Sequence, residues 1–223
     1  SLRLVGSEMC IRDRISPRAM RNGIIVTVLF ACLIGSALLF YAGWELIIVG
    51  LLCVLFAFLY TTGPYPLSYN GWGDVLVIVF FGFVPVGGTY YVQALTWTSD
   101  TTVASLICGL LIDTLLVVNN YRDREADARS GKRTVIVRFG EKFGRYLYLM
   151  LGVAASLLCF WFFFEGHLFA ALLPLLYLIP HVLTWRRMVQ IHSGKKLNSI
   201  LGETSRNMLL MGILLSIGFL IRH

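Results

Sequence analysis

Apolar residues run through this chain in long unbroken blocks, without the alternation of a half-buried strand. Blocks near the ~20 residues that carry a helix across a bilayer fall at 20–41, 44–62, 74–94, 100–120, 142–164, 167–186 and 206–221. Inside hydrocarbon each backbone N–H and C=O must be satisfied within its own segment, which leaves helices for runs of this kind. The pattern predicts an all-α protein, a multi-span transmembrane helical bundle of about seven spans.

Prolines and glycines mark where those helices start, stop and bend. Ser16-Pro17 reads as an N-cap followed by proline at the first helical position. The stretch Thr61-Thr62-Gly63-Pro64-Tyr65-Pro66-Leu67 cannot continue a helix and predicts a rigid turn. Pro85-Val86-Gly87-Gly88 lies inside the third span and predicts a kink or local unwinding, tolerated where the freed backbone faces protein or a cavity. Pro174 and Pro180 predict kinks in the sixth span. No internal repeat or low-complexity tract is evident.

Composition agrees with the pattern. The chain is 57% hydrophobic and 14% charged, against about 25% charged for a soluble domain. The basic residues are strongly one-sided. Of the 19, all but Arg222 lie on one side, at or beyond the span ends: up to Arg21, from Arg122 to Arg145, or from Arg186 to Arg206. The positive-inside rule places those segments in the cytoplasm and the chain in a cytoplasmic (inner) membrane. The +7 net charge is then a topology signal, and nucleic acid is excluded as a partner because the basic residues sit in loops between spans. The five cysteines form no CxxC and pack as small hydrophobes.

The densest polar patch ends the fourth span: Asn119-Asn120-Tyr121-Arg122-Asp123-Arg124-Glu125-Ala126-Asp127, then Gly131-Lys132-Arg133-Thr134. Asn119, Asp123 and Asp127 recur every four residues, so a helix presents them on one face. Oxygen ligands in that arrangement suit Mg²⁺, which takes one or two carboxylates and completes its shell with substrate phosphates. Lys132 and Arg133 are placed to meet the remaining phosphate charge. The bland reading is a solvated connector between spans. Asp113, inside the fourth span, carries an insertion penalty of about 2.5–3.5 kcal/mol; it either shapes a pocket or hydrogen-bonds a neighbouring helix. Tyr60, beside the Gly-Pro turn, is either an interfacial anchor or a site residue. His181 reads as a packed, hydrogen-bonded histidine. The loop 192–203 could cap a cavity.

These stretches together resemble one family. Ile15-Ser16-Pro17 with Met20-Arg21, Tyr60 to Leu67, Phe80-Phe81-Gly82, Gly88-Thr89-Tyr90-Tyr91-Val92-Gln93 and the run from Asn119 to Gly140 resemble the UbiA superfamily of intramembrane prenyltransferases, in its menaquinone branch. The resemblance covers residues 15–223, read as a partial domain of that type. It implies transfer of a polyprenyl group from polyprenyl diphosphate to 1,4-dihydroxy-2-naphthoate, with loss of the acceptor's carboxyl group, in the lipid bilayer and with Mg²⁺. Carried over, Asp123 and Asp127 hold metal, with Asn119 on the metal or its waters. Lys132 and Arg133 bind diphosphate, with Arg138 and Arg122 as weaker candidates. Tyr60, Asn120 and Asp113 fall to the acceptor or prenyl pocket.

The resemblance also implies nine spans and a first Asp-rich motif shortly before Ile-Ser-Pro. Here Ser1 to Arg14 stands in that place and reads as a non-native segment, so the chain as given is expected to have little or no activity by itself. Two alternatives stay open. One is another acceptor of the same superfamily, such as 4-hydroxybenzoate, homogentisate, a chlorophyllide or haem. The other is a transporter whose helices break at midplane.

Overall fold

In the computed structural model, residues 16–221 are described. The segment 1–14, expected to be non-native, lies outside them, as does Cys10. The described residues are helices joined by short turns, with no strand among them. Six helices are long and apolar enough to span a bilayer, and the protein is a multi-pass membrane protein. They are α1 (Pro17–Phe40), α3 (Gly73–Ala94), α4 (Ser99–Arg129), α5 (Val135–Phe164), α6 (Leu168–Ile191) and α7 (Leu197–Leu220). The run expected at 44–62 is a shorter apolar helix, α2 (Glu45–Thr61).

The chain divides into two units, residues 1–54 and 55–223. In the first, Ser16 caps α1 by accepting from the Ala19 amide, with Pro17 opening the helix. No side chain of the helical stretch Pro17–Ser36 is buried, and Cys32 is exposed. The second unit holds two apolar cores. One joins Val117, Val118 and Tyr121 of α4 to Tyr148, Met188, Leu197 and Ile200. The other joins Ile107 and Leu111 to Phe162, Ala170, Tyr177 and Met211.

Helices α3 and α4 approach almost backbone to backbone. A Cβ on Gly82 would lie 2.5 Å from the Ser105 carbonyl oxygen, and one on Gly109 would lie 2.9 Å from the Ile78 carbonyl oxygen. Small residues permit such close contact between membrane helices, where packing drives association. The break expected at Pro85 takes the form of π-winding over Ile78–Gly87. Proline has no backbone N–H to donate, and within this stretch the Cys108 thiol of α4 donates to the Phe81 carbonyl at 3.9 Å. The helix continues through Pro85 to Ala94, so it does not end in the midplane half-helices that the transporter reading requires. Pro174 falls in a 3₁₀ stretch, Leu173–Tyr177, that interrupts the α-helical winding of α6.

Several boundaries differ from expectation, each through burial of polar groups. Helix α4 continues nine residues past 120, because Tyr121 and Asp127 are buried within the fold. Helix α5 begins at Thr134, whose hydroxyl accepts from the Val137 amide, and is interrupted at Gly140. Helix α7 begins at Leu197, well before the expected 206. Its inward stripe is Leu197, Ile200, Glu203, Thr204, Asn207 and Met211. The polar members are held by partners: Arg187 pairs with Glu203 at 2.7 Å, the Asn207 amide donates to Thr184 at 3.0 Å, and Tyr148 meets Thr204 at 3.0 Å. The segment expected as a loop from 192 to 203 is therefore helix from Leu197 onward. His181 is buried, as expected, between the rings of Tyr148 and Tyr177, with the Tyr177 hydroxyl 2.9 Å from Nδ1.

Candidate active site

The polar end of α4 meets the Gly-Pro turn and the α4–α5 loop. After α2 the chain turns through Pro64 and Pro66 into a 3₁₀ turn, Leu67–Asn70. The Ser68 hydroxyl donates to the Tyr60 carbonyl at 2.5 Å and the Asn70 amide to the Pro66 carbonyl at 2.8 Å, which fixes the turn internally. The α4–α5 loop then clamps it. The Arg133 amide donates to the Tyr69 carbonyl at 2.7 Å, and the Arg138 guanidinium donates to the Asn70 carbonyl at 2.8 Å. Gly71 closes the turn in a left-handed conformation (φ 81°), and a Cβ there would lie 3.0 Å from the Arg133 carbonyl oxygen. Glycine suits that position on both counts.

Between these pieces lies a cavity of about 330 Å³, lined by Tyr60, Thr61, Ser68, Tyr69, Gly71, Gly73, Asp74, Leu116, Asn119, Asn120, Lys132 and Thr134. Four of the residues singled out from sequence, Tyr60, Asn119, Asn120 and Lys132, line it together. Asp123 and Asp127 follow on α4, one and two turns beyond Asn119. Asp113 lies at the other end of the same helical stripe and is buried.

The oxygens expected to hold metal converge on cations. One guanidinium nitrogen, Arg122 Nη2, donates to Asn119 Oδ1 at 2.6 Å and to Asp123 Oδ2 at 2.6 Å. Arg122 Nε donates to the other Asp123 oxygen at 2.8 Å. Its Nη1 donates to Asn198 Oδ1 in the first turn of α7 at 2.9 Å. Asp127 pairs with Lys132 at 3.1 Å, and the ammonium also sits 5.2 Å from the Tyr69 ring centroid. Burial disfavours the Lys132 ammonium, but the Asp127 carboxylate outweighs it and the lysine pKa lies above its ordinary value.

This geometry is a test of fit for a divalent cation. Asn119 and Asp123 present two oxygens to a single positive atom, with a second carboxylate one turn away. No group of three or more acidic, histidine or cysteine side chains is placed to hold a metal among the described residues. A cation here would complete its shell with substrate oxygens, the usual habit of Mg²⁺. The donor set fits such an ion.

The cationic residues separate by role. Lys132 faces the cavity, and the Arg133 side chain enters no ion pair among the described residues. Arg138 is committed to the Asn70 carbonyl, so it positions the turn. Arg124 and Arg145 belong to a buttress behind the site. They pair with Glu141, which also meets His192 at 2.7 Å, and Arg145 donates to the buried Tyr121 hydroxyl at 2.9 Å.

Sequence reasoning missed Asp74, Ser68, Tyr69 and Thr134 in the cavity wall, and Asn198 on Arg122. Asp74 carried a usable signal, a carboxylate in the first turn of an apolar helix directly after the Gly-Pro turn. Asn198 carried none, since its partner is 76 residues away.

Comparison with known proteins adds an independent line. The profile of the UbiA prenyltransferase family matches residues 9–216. The 1,4-dihydroxy-2-naphthoate octaprenyltransferase of Haemophilus influenzae is 36% identical over 224 residues, covering 94% of this chain and 70% of that protein. Proteins of the same name from Escherichia coli and Mycobacterium leprae are 38% and 39% identical over 151 and 157 residues, 65% and 70% of this chain. The chain spans about half the length of those two relatives, 49% and 52%. A profile match over nearly the whole sequence, on a helical membrane fold with the polar ladder at a cavity edge, shows that this chain belongs to the UbiA prenyltransferase family.

Proposed function

We propose that the protein transfers a polyprenyl group from polyprenyl diphosphate to 1,4-dihydroxy-2-naphthoate, giving the quinol form of demethylmenaquinone, carbon dioxide and pyrophosphate. The observation that carries this reading is the convergence of Asn119 and Asp123 on one cationic nitrogen, with Lys132 and Asp127 paired beside a cavity of ligand size. The names of the similar proteins support the choice of acceptor.

The difficult step is separation of charge as the first prenyl carbon leaves its diphosphate. Groups already aimed at the developing negative charge lower that barrier without reorganising. Asn119, Asp123 and Asp127 would hold Mg²⁺, which supplies Lewis-acid charge to the leaving group when bound. Lys132 directs its ammonium at the same place, and Arg133 is free to join it. Arg122 bridges Asp123 and Asn198, from where its guanidinium can reach a bound diphosphate. Tyr60, Asn120 and Leu116 wall the space where the acceptor ring sits. The ring carbon bonds to the first prenyl carbon as the carbon–diphosphate bond breaks, and the acceptor's carboxyl group departs as carbon dioxide. The prenyl tail lies along apolar helix surface in the bilayer. The one-sided basic residues orient this end toward the cytoplasm, in the cytoplasmic membrane.

The test is pyrophosphate release by membranes carrying the protein expressed from its own reading frame. Release should require both Mg²⁺ and 1,4-dihydroxy-2-naphthoate. Equal release with 4-hydroxybenzoate or homogentisate, or none with any acceptor, refutes the reading.

A further inference from the structure

Asn198 reaches across 76 residues of sequence to the polar end of α4. It lies in the first turn of α7, where no side chain caps the helix. Asparagine usually serves such a turn by bonding the nearby backbone. Here its side-chain oxygen instead accepts from Arg122 Nη1 at 2.9 Å. The residues around it hold it in place. Leu197 and Ile200 are fully buried, in the same core as Val117, Val118 and Tyr121 of α4. The connection leading to it is tied as well: His192 Nδ1 lies 2.7 Å from Glu141 Oε1, and the Tyr121 hydroxyl donates to the same oxygen at 3.0 Å. Asn198 itself is exposed, so an exposed amide is mounted on a buried frame.

Arg122 is the group that Asn198 grips. A guanidinium carries its N–H donors in one rigid plane. Nε donates to Asp123 Oδ1, Nη2 to Asp123 Oδ2 and Asn119 Oδ1, and Nη1 to Asn198. Because the plane is rigid, fixing Nη1 also fixes Nε and Nη2. Among the described residues, the one hydrogen bond of Arg122 outside α4 is the bond to Asn198. The oxygens it holds, on Asn119 and Asp123, are those assigned to the cation. Each contact takes one acceptor site, whereas a carboxylate offers about four and an amide carbonyl two, so both groups keep lone pairs for an ion. Side chains that ligate a metal are themselves hydrogen-bonded by outer partners that fix their direction. Arg122 has that position toward Asn119 and Asp123, and Asn198 has it toward Arg122.

We propose that Asn198 is a positioning residue for the cation site: it holds the Arg122 guanidinium in the plane that aims Asn119 and Asp123 at a divalent ion. The role rests on the metal reading above and extends the site to α7, which contributes nothing to the Asn119–Asp123–Asp127 ladder. A neutral amide suits the task, because it fixes the guanidinium without the charge that would draw it off Asp123.

The probe is Mn²⁺, titrated by electron paramagnetic resonance in the presence of geranyl thiodiphosphate. The protein is expressed from its own reading frame and held in nanodiscs, with thermal unfolding as the check on folding. Asn198→Ala should weaken Mn²⁺ binding roughly 10- to 100-fold, the usual cost of losing an outer partner of a metal ligand. Arg122→Lys keeps the charge but loses the planar fork, and should weaken binding to a similar degree. Because Asn198 acts through Arg122, the double variant should lose no more than about twofold beyond Arg122→Lys alone. Losses that multiply in the double variant show Asn198 acting independently and overturn the proposal. So does an affinity in Asn198→Ala within about twofold of wild type, or a tighter one, which marks the guanidinium as a competitor of the ion. A lowered thermal midpoint in place of a lowered Mn²⁺ affinity marks a purely structural contact and also overturns it. Asp123→Asn separates this proposal from the metal reading beneath it. If that variant binds Mn²⁺ as wild type does, the metal assignment falls and the positioning role with it. Loss in Asp123→Asn with none in Asn198→Ala removes the positioning role alone.

Discussion

Adding one methyl group to Gly82 tests whether the α3–α4 contact fixes the site. The Cβ of Gly82→Ala would lie 2.5 Å from the Ser105 carbonyl oxygen, 2.8 Å from Gly109 Cα and 2.9 Å from Gly109 N. All three are backbone atoms, so no side chain can rotate away and the helices themselves must part. Overpacking of this kind costs about 1–3 kcal/mol. Alanine also favours a helix over glycine by about 0.8–1.0 kcal/mol, which hides part of the effect. Gly88→Ala, on the same helix, is the matched control, since nothing lies within 4 Å of a Cβ there. The difference between the two variants isolates the clash. For a chain of this size it should appear as a midpoint roughly 2–12 °C lower for Gly82→Ala than for Gly88→Ala, by thermal unfolding in detergent. Because α3 carries Asp74 and α4 carries Asn119 and Asn120, parting the helices should also weaken acceptor binding. Equal midpoints for the two variants would refute the argument that backbone contact at Gly82 holds α3 on α4.

Two further outcomes follow from the site. Asp123→Asn or Asp127→Asn should lower prenyl transfer by about 10²–10³-fold, the scale of losing one group that stabilises transition-state charge, while membrane insertion measured by fractionation is unchanged; near-normal turnover in either variant would remove the metal role. The Lys132 pKa is raised in the folded protein above its ordinary 10.5, so the lysine pair with Asp127 contributes fully below that value and is lost as pH rises through the higher folded pKa. Diphosphate affinity should therefore be flat with respect to this group from pH 6 to 9 and fall only above about 10.5; a fall centred near pH 8 that disappears in Lys132→Met would contradict this.

Much of the site was legible along the chain. Asn119, Asn120 and Lys132 could be placed together because helical period and loop length are local properties. The Gly-Pro turn was legible for the same reason, since proline and glycine restrict backbone angles wherever they occur. Arg138 was a weaker candidate for diphosphate through the resemblance, and its guanidinium donates to the Asn70 carbonyl, 68 residues away in sequence. Charge says that a residue seeks an acceptor, not which one it finds.

By itself the sequence determined the class of fold, the approximate spans and the Asn119–Asp123–Asp127 ladder on one helix face, because hydropathy and the 3.6-residue period act between near neighbours. Tertiary structure decided where the helices end and which polar groups meet. The early start of α7 follows from burying Glu203, Thr204 and Asn207 against partners on α5 and α6. Hydropathy counts those residues as solvent-facing, and only packing shows that they are paired inside. Asp74 joins Asn119 and Asn120 in one cavity by the same logic, because Gly82 and Gly109 let two helices touch.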